Sequence, residues 1–176
     1  MEFHRITEAA DPHFESAFAV YQTSFPSHER RNVEKQRALL SCPLYHFDVV
    51  LEEGVFAGLL LHWDFANYTY VEHYAILSTL RGQSLGSACL QSFCKKYPLV
   101  ILEIDPPGDE ISVRRQGFYA RLGFQSNVFA HAHPAYHRQN LPHELVVMSY
   151  PRTLSGEEYA VFCGELRDIV MADAEN

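Results

Sequence analysis

The segment RGQSLGS, residues 81–87, has the residue types of a loop that binds an anion. It stands between an apolar run and a stretch with helical spacing of apolar residues, so backbone N–H groups and a helix dipole can point at one anion. Gly82 and Gly86 allow the backbone to approach a ligand closely, and Arg81 can bind a phosphate oxygen. The loop lacks the GK[ST] ending of a P-loop and is not a dinucleotide fingerprint. Taken alone, it is equally consistent with an ordinary strand-to-helix turn.

A second group of reactive side chains lies near the C-terminus: His131, His133, His137 and His143. A strand would place His131 and His133 on one face, which suits a metal ion. No cysteine or acidic residue joins them at a recognised metal-site spacing, so we predict no metal and a polar loop between two strands. A metal-binding protein that uses these histidines is kept as an alternative.

The elements that must position these residues follow from the spacing of the apolar residues. Asp11 and Pro12 are expected to cap and begin an amphipathic helix. Glu53 and Gly54 fit a tight turn between two strands, and the strands around them predict an antiparallel meander. Strands are expected at 2–7, 45–51, 55–63 and 68–77, and a short second helix at 33–40.

The second half of the chain alternates helices with strands. An apolar run at 99–104 indicates a strand covered on both faces, and Asp109 and Gly123 fit the two ends of the next helix. A helix is also expected after the loop at 81–87, strands at 124–130 and 144–150, and a last helix at 156–170. This order predicts a mixed α/β fold in one domain, residues 1–176, with a central sheet of about seven strands and helices on both faces.

The stretch YVEHYAILSTLRGQSLGSACLQSFC, residues 70–94, resembles the core motif of the GNAT superfamily of acyl-CoA-dependent N-acyltransferases. In that motif an apolar strand is followed by [QR]-x-x-G-x-[GA]. Arg81 and Gly86 stand in the first and last places, and Ser84 replaces the middle glycine. The motif gives the loop a specific interpretation as a site for a pyrophosphate.

A second stretch, VILEIDPPGDEISVRRQGFYARLGF at 100–124, agrees with the first. Its LEI resembles the L-E-V centre of the next strand of the superfamily, and its helix ends in a Y-x-x-x-G-F sequence that begins at Tyr119. Ser112 and Arg115 replace the usual Asn and Ala of this helix. Two motifs in the right order are more specific than either one alone, and they imply a GNAT-like fold.

The resemblance implies a slot for acetyl-CoA. Two parallel strands, those of Ile76 and Glu103, would splay apart, and the pantetheine arm of the cofactor would fill the gap. The pyrophosphate would lie on the N–H groups at the start of the following helix. The residues expected to bind the cofactor are therefore Ile76, Arg81, Gly82, Gln83, Ser84, Leu85, Gly86 and Ser87.

The resemblance also implies N-acetyl transfer to a primary amine by direct attack, without a covalent enzyme intermediate. Tyr119 matches the family tyrosine that protonates the departing thiolate; a half-buried core aromatic is the alternative. An ammonium group has a pKa of about 10.4, so a base must first remove a proton. Glu103 matches a strand position used for this purpose in some members, and Glu72 lies on the neighbouring strand.

Partial burial would raise the pKa of either carboxyl, Glu72 or Glu103, towards neutrality and improve it as a base. A structural carboxylate paired with an arginine or a hydroxyl is the alternative for both. His73 ranks third, because strand alternation puts it on the face opposite Glu72, so the two side chains are not expected to share one pocket.

Serine at position 84 loses the freedom of glycine at positive φ. It keeps its backbone N–H, and its hydroxyl can add a contact to a phosphate oxygen. We therefore predict that Ser84 has an ordinary negative φ in a helix-like first turn and that cofactor binding is kept.

The region around the acceptor is predicted less specifically. By resemblance, the segment SFPSHERR at 24–31 and the C-terminal histidines border the acceptor pocket, so Phe25, Glu29 and Tyr136 are candidate acceptor contacts. The arginines of the segment are expected to be solvated. The acceptor is a small molecule or a peptide amine, and the sequence does not say which.

Composition limits the remaining possibilities. The chain has 176 residues and a formal net charge of −8, which disfavours nucleic-acid binding and suits a cationic or amine substrate. Four cysteines without disulfide spacing, and no signal-peptide or membrane-spanning run, lead us to expect a cytoplasmic protein that does not bind membranes. A homodimer is possible. The alternative function is a non-catalytic CoA-binding sensor domain.

Overall fold

The computed structural model describes residues 1–172. Its strands are β1 (Glu2–Ile6), β2 (Tyr45–Glu52), β3 (Val55–Asp64), β4 (Thr69–Ile76), β5 (Val100–Ile104), β6 (Gln125–Ser126), β7 (Ala132–His133), β8 (His143–Glu144) and β9 (Val146–Tyr150). Its α-helices are α1 (Phe14–Ser24), α2 (Val33–Leu39), α3 (Leu85–Cys94), α4 (Glu110–Arg121) and α5 (Gly156–Glu165).

Seven strands form one mixed sheet in the order β1-β2-β3-β4-β5-β9-β6. The pairing of β4 with β5 is parallel, and the other neighbours are antiparallel. The predicted fold is thereby confirmed. The short strands β7 and β8 form a separate hairpin that the sequence did not indicate.

Helices cover both faces of the sheet, and each face has its own hydrophobic core. On one face α1, α2 and α5 pack on the sheet through side chains such as Phe14, Leu39 and Phe162. On the other face Leu90 and Phe93 of α3 pack against the sheet, with α4 at the edge of the cluster. Burial of this many large apolar side chains supplies the main stabilising free energy of the fold.

Several predicted boundaries are confirmed by backbone geometry. The side chain of Asp109 accepts hydrogen bonds from two N–H groups in the first turn of α4 and forms a capping box with Ser112. Gly123 follows α4 with a φ of 96°, and Glu53 and Gly54 have φ values of 52° and 77° in the turn between β2 and β3. The cap of Asp109 and the positive φ of the two glycines match the residue types at these positions, whereas Glu53 adopts a left-handed backbone that the tight turn imposes.

Other boundaries predicted from the sequence differ from those of the structure and were wrong. Helix α1 begins at Phe14 and not at Pro12, because the Asp11 carboxylate accepts from the N–H of His13 and holds a turn before the helix. The strand predicted at 124–130 is reduced to β6, since the side-chain amide of Asn127 donates to the carbonyl of Val147 and to Ser149. The last helix is α-helical only to Glu165 and continues as a π-helical turn, Leu166–Val170.

Candidate active site

A cleft opens where the two parallel strands at the centre of the sheet separate. Strands β4 and β5 pair only from Thr69 with Val100 to Val71 with Leu102. Beyond that point β4 stays bonded to β3, and β5 stays bonded to β9. The facing edges of the two strands therefore have backbone groups without a strand partner, which an extended ligand can satisfy.

A β-bulge lies where the separation begins. On β3, the consecutive residues Leu61 and His62 pair with His73 and Val71, so Glu72 is an extra residue on β4. The bulge breaks the alternation of side chains. Both Glu72 and His73 consequently point to the face covered by α1: Glu72 bonds to Trp63, and the ring of His73 lies 4.9 Å from that of Tyr21. The prediction that these two side chains cannot share a pocket was wrong for this reason.

The cleft has a volume of about 780 Å³, and both sides of the gap contribute to its wall. Among the residues predicted to bind the cofactor, Ile76, Arg81, Gly82, Ser84, Gly86 and Ser87 line it. Gln83 and Leu85 do not. The side chain of Gln83 lies near the carbonyl of Thr79, and Leu85 packs against the core beneath α3. The loop and the N-terminus of α3 thus lie at one end of the cleft.

Ser84 has the conformation that glycine would adopt. Its φ is 60° and its ψ is 0°, in the left-handed region, so the prediction of a negative φ was wrong. Ser84 is the N-cap of α3, and its carbonyl accepts the hydrogen bond from the N–H of Ala88. Gly82 also has a positive φ, 80°. The turn into the helix requires the left-handed backbone at position 84, and serine tolerates it at a cost of about 1 kcal/mol.

Tyr119 lies on the cleft wall and is half-buried. Its ring packs on Phe118 and Phe124, with centroids 5.1 and 5.6 Å away. Burial raises the pKa of its hydroxyl to about 12, although the charge of Arg115 opposes the rise. The hydroxyl consequently stays protonated at neutral pH, as a proton donor to a leaving group must.

Glu72 is fully buried in a network of donors. Its carboxylate accepts hydrogen bonds from Arg31 at 2.5 Å, Trp63 at 2.8 Å and Tyr136 at 2.7 Å. Burial alone would raise the pKa of this carboxyl, but the charge of Arg31 and these hydrogen bonds lower it to about 2. A carboxylate so firmly ionised is a weak base, and this environment favours the structural alternative for Glu72.

Arg31 is the unexpected member of this network. Its side chain is 4% exposed, so the prediction that it would be solvated was wrong. Besides Glu72, it donates to the carbonyl of Val170 at 2.5 Å, and its guanidinium lies 5.2 Å from the ring centre of Tyr136. The buried charge is stable because Glu72 compensates it. A glutamate within an apolar strand is a sequence signal that such a cation must exist nearby.

Glu103 is also buried beside the cleft. Its carboxylate accepts short hydrogen bonds from the hydroxyl of Tyr70 and from Nε2 of His131, and one oxygen lies 3.9 Å from Nε2 of His133. Burial would raise the pKa of this carboxyl, but His133, His131 and Tyr70 together lower it. Glu103 is therefore a carboxylate in the folded protein.

Two imidazoles in the cleft wall each have one ring nitrogen without a partner. The Nε2 atom of His73 donates to the carbonyl of Glu29 at 2.9 Å, and the Nδ1 atom of His133 donates to the carbonyl of Pro134 at 2.6 Å. Because a carbonyl only accepts, both tautomers are fixed. Within the described residues, Nδ1 of His73 and Nε2 of His133 are buried and make no hydrogen bond. Burial lowers the pKa of His73 to about 4.

Most of the other predicted acceptor contacts also lie on the cleft wall: Phe25, Glu29, Tyr136 and His143 line it together with the two imidazoles. His131 and His137, which were also expected to border the pocket, do not line the cleft. In the described chain, side chains close enough to share a metal ion occur as His28 with Glu29 and His143, and as His46 with Asp48 and His62. Of the predicted histidine cluster, His143 is in the first group, and His131, His133 and His137 are in neither.

A mixed sheet with a cleft between two separating parallel strands is the fold of acetyltransferases whose solved structures resemble this chain. Residues 9–124 match the model of the acetyltransferase (GNAT) family. The chain therefore belongs to that family, and the predicted membership and acyltransferase class are confirmed. In the part of the chain that the structure describes, no helix is both long and apolar enough to cross a membrane.

Solved structures of the same fold support this placement. A GNAT-family protein from Bacteroides thetaiotaomicron is 25% identical with a TM-score of 0.92, covering 97% of this chain and 98% of that one. The ribosomal-protein-S18-alanine N-acetyltransferase from Escherichia coli is 17% identical, with a TM-score of 0.59 over 89% and 96% of the two chains. An aminoglycoside 6'-N-acetyltransferase complexed with coenzyme A is 11% identical, with a TM-score of 0.62 over 88% and 100%. No curated protein matches the sequence.

Proposed function

We propose that the protein transfers an acetyl group from acetyl-CoA to a primary amine by direct attack of the amine on the thioester. The observation that carries this proposal is the gap between β4 and β5, which ends at the glycine-containing loop and has Tyr119 on its wall. An extended pantetheine arm needs backbone partners along its length, and a pyrophosphate needs a helix N-terminus at one end. The cleft offers both in that order.

The acetyl-CoA would lie along the gap. Its amide groups would bond to the free backbone groups of β4 beyond Val71, and its pyrophosphate would lie on the N–H groups at the start of α3. The positive φ values of Gly82 and Ser84 support this placement, since they turn the loop into the helix. Arg81 donates through Nε to the carbonyl of Ile76 at 3.2 Å, which holds the base of the loop against the strand.

The chemical step needs one proton donor and one proton acceptor. The ammonium loses a proton to the base, and the amine attacks the carbonyl carbon. The C–S bond breaks, the thiolate takes a proton from the hydroxyl of Tyr119, and the nitrogen returns its second surplus proton to the Tyr119 oxygen. We propose Tyr119 as this acid. Both carboxylates predicted as base have their oxygens engaged: Glu72 by Arg31 and two other donors, and Glu103 by Tyr70 and His131. Glu103 is the better placed because it lies 3.9 Å from Nε2 of His133, through which it can act on the amine. No step requires a metal ion.

The acceptor amine would enter from the side of the cleft lined by Phe25, Glu29 and Tyr136. This wall combines aromatic rings with a carboxylate, which suits an amine attached to an organic body. In the solved relatives the acceptor is a ribosomal protein or an aminoglycoside. Either a small molecule or a peptide amine fits this description.

The test is thiol release from acetyl-CoA in the presence of a panel of primary amines: peptides, polyamines, amino sugars and free lysine. The proposal predicts that at least one amine accelerates thiol release and is recovered with one acetyl group added, as mass spectrometry would show. The matched control is the Tyr119→Phe variant, which keeps the ring and removes the proton. Thermal stabilisation by acetyl-CoA without thiol release from any amine would instead favour the CoA-binding sensor.

A further inference from the structure

Two buried histidines in the cleft wall carry an inference that rests on the proposed function. We infer that His73 and His133 hold the nitrogen of the acceptor amine between them, and that Nε2 of His133 takes the proton which that nitrogen loses. Both side chains line the cleft, on β4 and β7 respectively.

The first support is that each imidazole offers a fixed lone pair. Backbone carbonyls of Glu29 and Pro134 accept one N–H from each ring, which leaves Nδ1 of His73 and Nε2 of His133 as acceptors. A buried acceptor without a partner costs stability in the free protein. A bound amine donates two or three N–H groups, so its binding would satisfy both nitrogens. Two such acceptors in one wall are the pattern expected of a site for an N–H donor.

The second support concerns which histidine accepts the proton. Nε2 of His133 lies 3.9 Å from a carboxylate oxygen of Glu103, so Glu103 would stabilise the imidazolium that forms. Glu103 itself is held in place by Tyr70 and His131. The carboxylate near His73 is Glu72, which is already paired with Arg31, and burial lowers the pKa of His73 to about 4 and keeps it neutral. His73 would then orient the amine, and Glu103 would act through His133 as a positioning residue.

The surroundings of His133 also fix its ring. It stacks on Tyr136, with centroids 5.1 Å apart and an angle of 20° between the planes. The titratable groups around it are Glu103 on β5, His73 on β4 and Tyr136 in the following loop. Nε2 is covered in the free protein, so contact with an amine would require neighbouring side chains of this wall to move on binding.

The proton balance of the step is simple. The ammonium form of the acceptor gives one N–H proton to Nε2 of His133, and the freed nitrogen lone pair forms the new bond to the acetyl carbon. The C–S bond breaks, and the thiolate takes the proton of the Tyr119 hydroxyl. The nitrogen gives its second surplus proton to the Tyr119 oxygen, and solvent takes the proton from His133, so one proton is released per turnover and both residues start the next turnover unchanged.

The test compares His133→Ala, His133→Gln and His73→Gln with His4→Gln, a control on β1 at the far edge of the sheet. With a saturating amine, kcat of the His133 variants should fall on the order of 10²-fold. Binding of acetyl-CoA should not change, and imidazole should restore part of the rate to His133→Ala. His73→Gln should instead raise KM for the amine about tenfold, as expected for one lost hydrogen bond.

The pH dependence of kcat gives the second readout. In the unaltered protein kcat should fall as the pH falls, as in any reaction that needs an unprotonated base, and this fall should disappear in the His133 variants. A His133→Gln variant that folds and keeps both kcat and its pH dependence would overturn the inference alone. If the His133→Ala variant does not fold, the kcat and the pH dependence of the His133→Gln variant test the inference. An unaltered protein that releases no thiol with any amine would overturn the proposed function, and the inference with it.

Discussion

The Glu72→Gln variant should unfold at a markedly lower temperature than the unaltered protein. Below that temperature its rate of acetyl transfer should be unchanged. The substitution keeps the shape of the side chain but leaves the guanidinium of Arg31, 4% exposed, without its counter-charge. The pKa of the Glu72 carboxyl is about 2 in the folded protein and is ordinarily 4.5. A shift of this size corresponds to about 3 kcal/mol at neutral pH. The cost of breaking a buried ion pair is about 3 to 5 kcal/mol, which agrees.

Chemical unfolding and thermal unfolding measure this loss. For a chain of this length, about 3 kcal/mol corresponds to a fall in Tm of roughly 6 to 12 °C. The direction in which this stability difference changes with pH also follows from the pKa. Since the pKa of Glu72 is lower in the folded state, its contribution is complete above about pH 5 and is lost as the pH falls towards 2. The difference in stability between the unaltered protein and the Glu72→Gln variant should shrink over that range.

The matched control is Glu158→Gln. Glu158 also pairs with an arginine, Arg152, at 2.7 Å, and its pKa is also lowered to about 2, but its side chain is 35% exposed. Solvent screens such a pair, so the change should cost less than about 1 kcal/mol. Glutamine also keeps a side-chain oxygen that can accept from the N–H of Ser155 in the capping box of α5. The reasoning would be refuted if the two variants lost equal stability. It would also be refuted if Glu72→Gln kept full stability and lost turnover, because Glu72 would then be the base.

Three further outcomes are expected. Ser84→Gly should leave the affinity for acetyl-CoA unchanged, and weaker binding would contradict this. In thermal unfolding the variant should be more stable by up to about 1 kcal/mol, because glycine adopts a φ of 60° without strain. Tyr119→Phe should lower kcat on the order of 10²-fold with an unchanged KM for acetyl-CoA, and a normal kcat would exclude the tyrosine as the acid. Dialysis against a chelator should leave thiol release unchanged, and a loss that zinc restores would reject the metal-free mechanism.

Much of the fold could be predicted because its signals are local. After Leu77 the spacing of apolar residues changes from that of a strand to that of a helix, and this change separated the antiparallel meander from the alternating helices and strands that follow. Asp109 and Gly123 gave the ends of α4. The hairpin of β7 and β8 was missed, since each strand has two residues and no periodicity can be detected over that length. Asn127 ended β6 early through its side chain, which a strand pattern does not indicate.

The candidate site was predicted less completely, because its decisive features depend on distant parts of the chain. The bulge at Glu72 exists only in the pairing of β3 with β4, and it moved His73 to the face of the cleft. The partner of Glu72 is Arg31, 41 residues away, within a segment that reads as a solvated connection. The left-handed backbone of Ser84 follows from the geometry of the turn and overrides the preference of serine.

A crystal structure of the protein with acetyl-CoA and an unreactive amine would test the central claim most directly. The account predicts that the pantetheine arm lies between β4 and β5, that its pyrophosphate lies on the loop at 81–87, and that the sulfur lies within hydrogen-bond distance of the Tyr119 hydroxyl. The amine nitrogen should lie between His73 and His133. A cofactor bound outside the gap, or a thioester far from Tyr119, would contradict the account.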